Sequence, residues 1–166
     1  RSNGLTAPNG VAQEHVITAA LREAGIAPGD VAYLEAHGTG TSLGDPVEVL
    51  AAAKVLGANR PPSRPLLCGS VKANIGHLLT AAGAASLVKV LLALAHATLP
   101  ATANFRQAAA TIPLAGSPFR ILTESTPWPR RDATTPRRAA INGFGFGGIN
   151  AHLLLEEWID PTPEEQ

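Results

Sequence analysis

Two histidines stand where glycine-rich phrases follow β-favouring runs. His37 opens His37-Gly38-Thr39-Gly40-Thr41, and His77 closes Lys72-Ala73-Asn74-Ile75-Gly76-His77. A third phrase, Gly143-Phe144-Gly145-Phe146-Gly147-Gly148, carries two aromatic rings instead. Imidazole changes protonation near neutral pH, so such a pair can move a proton or present an N–H to an oxygen. In α/β sheets ligands collect at the loops that follow strands, and glycine lets the backbone approach them closely. A lone loop histidine is more often a surface or locally satisfied residue. Two at analogous positions after successive strands leave both readings open.

The elements that must position these loops alternate along the chain. Residues 1–12, rich in Gly, Asn and Pro, read as a loop. A helix fits Gln13 to Ala24, where Val16, Ala19, Ala20 and Leu21 fall near helical spacing and Gly25 supplies a stop. After a turn at Pro28-Gly29-Asp30, Val31 to Ala36 reads as a short strand that delivers its end to His37. Asp45 as N-cap, with Pro46 at the first helical position, opens a helix to about Leu56. Pro65 to Val71 is a strand leading into the second histidine phrase, and Thr80 to His96 a long helix of small residues. Residues 100–117 read as irregular, Phe119 to Leu122 as a strand and Thr126 to Arg138 as a polar, basic loop. Ala139 to Asn142 and Ile149 to Glu156 flank the third glycine phrase as strands, and the Pro/Glu-rich tail from Pro161 reads as a linker. This order predicts an α/β fold, a mixed sheet covered by helices.

Bulk properties narrow the function. Thirteen basic and thirteen acidic residues balance to zero, which gives no reason to propose nucleic acid or an anionic membrane as partner (Lys+Arg 13, Asp+Glu 13). The single cysteine, Cys68, excludes an internal disulfide and a multi-cysteine metal site, and a cytoplasmic protein is the plain expectation. The most apolar stretch, Ala81 to Ala97, is interrupted by Gly83, Ser86, Lys89 and His96 and falls short of the roughly 18 apolar residues of a membrane span. The opening Arg1-Ser2-Asn3-Gly4 has no initiator Met and no signal-peptide design, so the chain is expected to be cut from something longer.

Longer phrases carry a family resemblance. Glu35-Ala36-His37-Gly38-Thr39-Gly40-Thr41-Ser42-Leu43-Gly44-Asp45-Pro46-Val47-Glu48 and Gly69-Ser70-Val71-Lys72-Ala73-Asn74-Ile75-Gly76-His77 resemble the signatures around the two catalytic histidines of β-ketoacyl synthases. Asn142 to His152 resembles the glycine-rich strand near the end of those enzymes, and Arg1 to Gly10 the loop that begins their second half. The phrases resemble those of polyketide synthases and polyketide-like fatty acid synthases more than those of stand-alone condensing enzymes. One discriminating position is Ser86, nine residues past His77, where many stand-alone enzymes have glutamate.

The resemblance implies a thiolase-like fold of two similar α/β halves, with residues 1–157 as the second half and 158–166 as tail. It implies a decarboxylative Claisen condensation of an acyl thioester with malonyl on an acyl carrier protein. Decarboxylation throws negative charge onto the thioester oxygen, where preorganised donors are worth most, and that role falls to His37 and His77. Lys72 is implied beside the site, biasing the histidines toward neutrality; the plain alternative is a surface lysine. Thr39, Thr41 and Asn74 are implied as supporting residues, with Asn150 holding loop backbone. Phe146 is implied as a gate to the acyl pocket together with Phe144, core packing being the alternative for both. No bound cofactor is implied, since substrates ride on the carrier's phosphopantetheine. The partners implied are the first half of the domain, which holds the nucleophilic cysteine, the acyl carrier protein, and a second copy in a homodimer. A module that transfers chains, sets chain length or only decarboxylates is the alternative; retention of His37 favours a condensing enzyme.

Two other patterns lead elsewhere. Gly143-x-Gly145-x-x-Gly148 formally fits a dinucleotide-binding fingerprint, but too little chain follows to supply the helix, second strand and acidic residue it needs. Cys68 lies within the apolar run Leu66-Leu67-Cys68-Gly69-Ser70-Val71 rather than at an exposed turn, so a buried, inert thiol is expected. His15, His96 and His152 read as structural or solvated. The arginines from Arg130 to Arg138 read as a solvated surface, with a contact to an acidic carrier as the alternative.

Overall fold

The computed structural model describes residue 4, residues 6–112, 114 and 116–159; the tail from Pro161 lies outside the described residues. Asn9 ends the opening loop by accepting a hydrogen bond from Ala12 N at 3.0 Å, so α1 (Gly10–Ala24) begins ahead of the expected Gln13. Gly25, at φ 66°, closes it with its N–H on the Arg22 and Leu21 carbonyls. β1 (Tyr33–Glu35) precedes α2 (Gly44–Leu56), and β2 (Leu66–Gly69) leads to a single helical turn, α3 (Lys72–Ile75). A 3-10 turn at Leu79–Ala81 enters α4 (Ala82–Ala95).

Asp45 is not the cap of α2. It sits inside the helix, and its carboxylate accepts from Gly40 N at 3.1 Å, while Thr41 Oγ1 accepts from Gly44 N at 3.0 Å. The loop between His37 and the helix therefore uses that carboxylate for itself. Two short strands were also not expected, one between the long helix and the irregular stretch and one at the start of the basic loop. β3 (Thr98–Leu99) pairs antiparallel with β5 (Thr126–Pro127), apart from the main sheet.

The main sheet adds β4 (Phe119–Ile121), β6 (Arg138–Phe144) and β7 (Asn150–Glu156) in the order β4-β2-β1-β6-β7. All neighbours are parallel except β6 and β7, so the sheet is mixed, as the alternation of elements implied. Alternate residues face opposite layers. Leu34, Leu66, Cys68 and Ala140 pack with Ile17, Leu21, Ala52 and Leu56 of α1 and α2. Tyr33, Ala139 and Ile141 pack with Val90 and Ala93 of α4, beside Leu99, Leu122 and Trp128. Truncating a wholly buried leucine such as Leu56 to alanine would cost about 2–5 kcal/mol.

Register is what positions the site. Glu35 pairs with Gly69 on one side and Ile141 on the other. β1 and β2 thus end in one row, β6 runs three residues further to Phe144, and all three glycine-rich phrases leave the same end of the sheet.

Candidate active site

His37 follows β1 in a loop whose backbone is gripped from beneath. The buried Glu48 carboxylate accepts from His37 N at 2.7 Å and Gly38 N at 2.9 Å. Asn142 Nδ2 donates to the same carboxylate at 2.8 Å, and Asn142 Oδ1 lies 2.7 Å from His152 Nδ1. Because Asn142 turns its amide N–H to a carboxylate, its oxygen must accept, and His152 donates through Nδ1–H. Burial pushes Glu48 above its ordinary range, while the three hydrogen bonds pull it back.

The second histidine comes from the turn after α3. Gly76 takes φ 78° and Leu79 φ 51°, a bend that brings Leu79 N to donate to His77 Nδ1 at 2.9 Å. With Nδ1 accepting, the proton of neutral His77 resides on Nε2. The two imidazoles meet edge to face, 5.8 Å between centroids, and the Phe144 ring stands 6.0 Å from His37. Burial, then the charge of Lys72, then His77 lower the His37 pKa to about 4, so His37 is neutral at physiological pH. Lys72 is itself half-buried and drawn down by desolvation. The Lys72 charge thus adds to burial in disfavouring the protonated form of His37.

The remaining expected residues divide. Thr39 Oγ1 and Thr41 Oγ1 lie 3.3 Å apart in the His37 loop, and Thr39, Lys72 and His77 border one cavity of about 500 Å³. Asn74 lies away from that cavity, on an apolar groove of about 710 Å³ shared with Ile75, Leu78, Val88 and Leu92. Phe146 is 76% exposed, which disfavours core packing for that ring. Asn150 opens β7 opposite Phe144, beside the Gly145 N to Ile149 O bond of 2.8 Å that closes the glycine turn.

Cys68 is buried, as expected, and desolvation pushes its thiol well up, which disfavours the reactive thiolate. His152 is structural, and the sequence hinted at this only by leaving it without a glycine loop. The basic segment is internally neutralised: Arg130 and Arg137 hold Glu157, Arg138 holds Glu156, and Arg131 holds Asp30. Glu35, Glu48 and Asn142 lay inside the quoted phrases without an assigned role. For Glu35 a carboxylate in an otherwise apolar strand was the available signal, because a buried charge demands partners. Among the described residues there is no metal-holding cluster, and no helix is long and apolar enough to cross a membrane.

Comparison with known proteins converges. A family model described as "Beta-ketoacyl synthase, C-terminal domain" matches residues 1–106, and "Ketoacyl-synthetase C-terminal extension" matches 109–166. Over 165 residues the chain is 49% identical to Polyketide synthase GfsA of Streptomyces halstedii, covering 99% of this chain and 2% of that protein. It is 48% identical over 156 residues to Erythronolide synthase EryA3 of Saccharopolyspora erythraea, covering 94% and 5%. An oxazolomycin ketosynthase domain from Streptomyces albus superposes with a TM-score of 0.88 at 45% identity, over 98% of this chain and 29% of that one. The ketosynthase from module 6 of the bacillaene synthase of Bacillus subtilis 168 does so at 0.88 and 39% identity, over 96% and 28%.

Proposed function

Since the chain belongs to the β-ketoacyl synthase C-terminal domain family, of the polyketide synthase kind, with a thiolase-like ketosynthase fold, we propose that it supplies the decarboxylation and condensation machinery of a ketosynthase. An acyl group sits as a thioester on a cysteine of the first half of the domain. Malonyl, carried on the phosphopantetheine of an acyl carrier protein, loses carbon dioxide, and the electron pair of the broken bond becomes an enolate. The Nε2–H of His77 and an N–H of His37 hold the enolate oxygen. The enolate carbon then attacks the acyl carbonyl, the new carbon–carbon bond forms, and the cysteine leaves as thiolate. No resident cofactor enters these steps.

The observation that carries this reading is the pair of imidazoles, 5.8 Å apart, with His77 Nδ1 accepting from Leu79 N so that its N–H stands on Nε2. Two N–H donors set side by side suit an oxygen that acquires charge only as the reaction proceeds. Thr39, on the cavity wall, and Thr41, 3.3 Å from it, support the bound thioester, while Phe144 and Phe146 border the acyl path. The exposed apolar face of α4, with Val88, Leu91 and Leu92, is the surface we assign to the first half of the domain. Residues 1–157 are assigned to the ketosynthase and 158–166 to its tail; the complete enzyme is a homodimer.

In the intact synthase module, His37→Ala and His77→Ala should each lower malonyl-carrier decarboxylation by about 10²-fold or more, the cost of one lost oxyanion donor. Self-acylation of the cysteine should survive at least one of the two changes. Wild-type decarboxylation in both variants would refute the assignment.

A further inference from the structure

Glu35 ends β1 two residues before His37, points into the layer beneath α4, and is 0% exposed. Its Oε1 accepts from Val71 N at 2.5 Å, and its Oε2 accepts from Tyr33 Oη at 2.7 Å. Val71 directly precedes Lys72 and the turn that leads to His77. One carboxylate therefore fastens the exit of β1 to the exit of β2, and with them the loops of both histidines.

Its counter-charge comes from a third segment. Lys89 Nζ, on α4, lies 2.7 Å from Glu35 Oε2, with its side chain 9% exposed. The contact is an ion pair rather than an aligned hydrogen bond. The same ammonium stands 5.6 Å above the Tyr33 ring. Space for the cluster depends on Gly69, where a Cβ would come within 2.9 Å of Tyr33 Oη and 3.4 Å of Lys89 Nζ. The start of α4 is itself set by the turn whose Leu79 N–H holds His77.

A buried ion pair is an inefficient way to stabilise a core, because desolvation offsets most of the attraction and an apolar pair of similar volume often does as well. The geometry points to another use. We infer that Glu35 and Lys89 are positioning residues that set the His37 loop against the His77 loop, so that both imidazoles address one oxygen. This rests on the enolate role proposed above. The carboxylate joins the two loops, and the lysine, 2.7 Å from its Oε2, ties it to α4.

The test uses the intact synthase module, with kcat and KM for malonyl-carrier decarboxylation read on protein shown to be folded at the assay temperature. Glu35→Gln and Lys89→Met should each lower the melting temperature, since each leaves one buried partner unpaired. The double variant Glu35→Met/Lys89→Met removes both charges together with the acceptor that ties Val71 N to β1, and should regain much of that melting temperature. It should nevertheless stay about 10-fold or more below wild type in kcat, with KM within about twofold, because misplacement of catalytic groups acts on the transition state. A double variant that recovers kcat along with its melting temperature, or one whose loss lies in KM, would overturn the inference. His37→Ala is run beside it. If His37→Ala decarboxylates normally, the enolate reading itself has failed; if only the double variant does, the positioning role alone has.

Discussion

Gly38→Ala should disable the His37 loop through a single methyl group. Gly38 takes φ +50°, where a side chain costs about 1–2 kcal/mol. An added Cβ would lie 2.9 Å from Ser70 Cβ and 3.0 Å from Ser70 Oγ. Ser70 Cβ is fixed to the backbone after β2 and cannot rotate aside, so the His37 loop must retreat by several tenths of an ångström. That movement stretches the 2.9 Å bond from Gly38 N to Glu48 and carries His37 with it. Strain and contact together should destabilise the ketosynthase by about 2–3 kcal/mol. Malonyl decarboxylation should fall about 10- to 100-fold, in keeping with sub-ångström to ångström displacement of a reacting group. The second variant, Gly38→Ala/Ser70→Gly, removes the contact and leaves the dihedral strain. It should recover most of the rate but little of the stability. If Gly38→Ala decarboxylates like wild type, or if Ser70→Gly brings no recovery, the packing argument is wrong.

Three further outcomes are expected. Cys68→Ala should leave acyl-enzyme formation and condensation nearly unchanged; loss of acylation in a correctly folded variant would show that this thiol is the nucleophile after all. His152, held near pKa 4 by burial against an ordinary 6.5, stays neutral in the fold while the unfolded chain takes up a proton. Stability is therefore flat above about pH 6.5 and lost as the pH falls toward 4, by roughly 2 kcal/mol between about pH 7.5 and 5 from this group. His152→Asn keeps a donor for Asn142 and should flatten the pH dependence of denaturation by that amount; an unchanged slope would contradict it. The isolated 166-residue chain, with Leu79, Val88, Leu91 and Leu92 uncovered on α4 and the turn before it, should self-associate without condensing anything, and sedimentation showing strict monomer at high concentration would count against the exposed face.

Local order was legible from residues alone. The alternation of apolar runs with helical spacing specifies a mixed sheet under helices, because the two periodicities differ and each needs a covering layer. The glycine phrases marked the strand-end loops, and the apolar neighbours of Cys68 marked it as buried. Boundaries erred where a side chain had two possible uses. Asp45 could have capped α2, yet its carboxylate serves Gly40 N, and only the folded loop decides between them.

What the sequence could not specify is who meets whom. Glu48 and Asn142 are far apart in the chain, as are Glu35 and Lys89, and each pair becomes adjacent only when a helix, α2 or α4, packs onto the sheet. The need for partners was written in the sequence, since a carboxylate in an apolar strand cannot stay unpaired. The partners' identity was not. The same holds at the site: two histidines in matched loops suggested shared chemistry, but their edge-to-face approach and the tautomer of His77 depend on β1 and β2 ending in one row and on the bend at Leu79. Side-chain type is a local property, whereas proton position and mutual distance belong to the packed sheet.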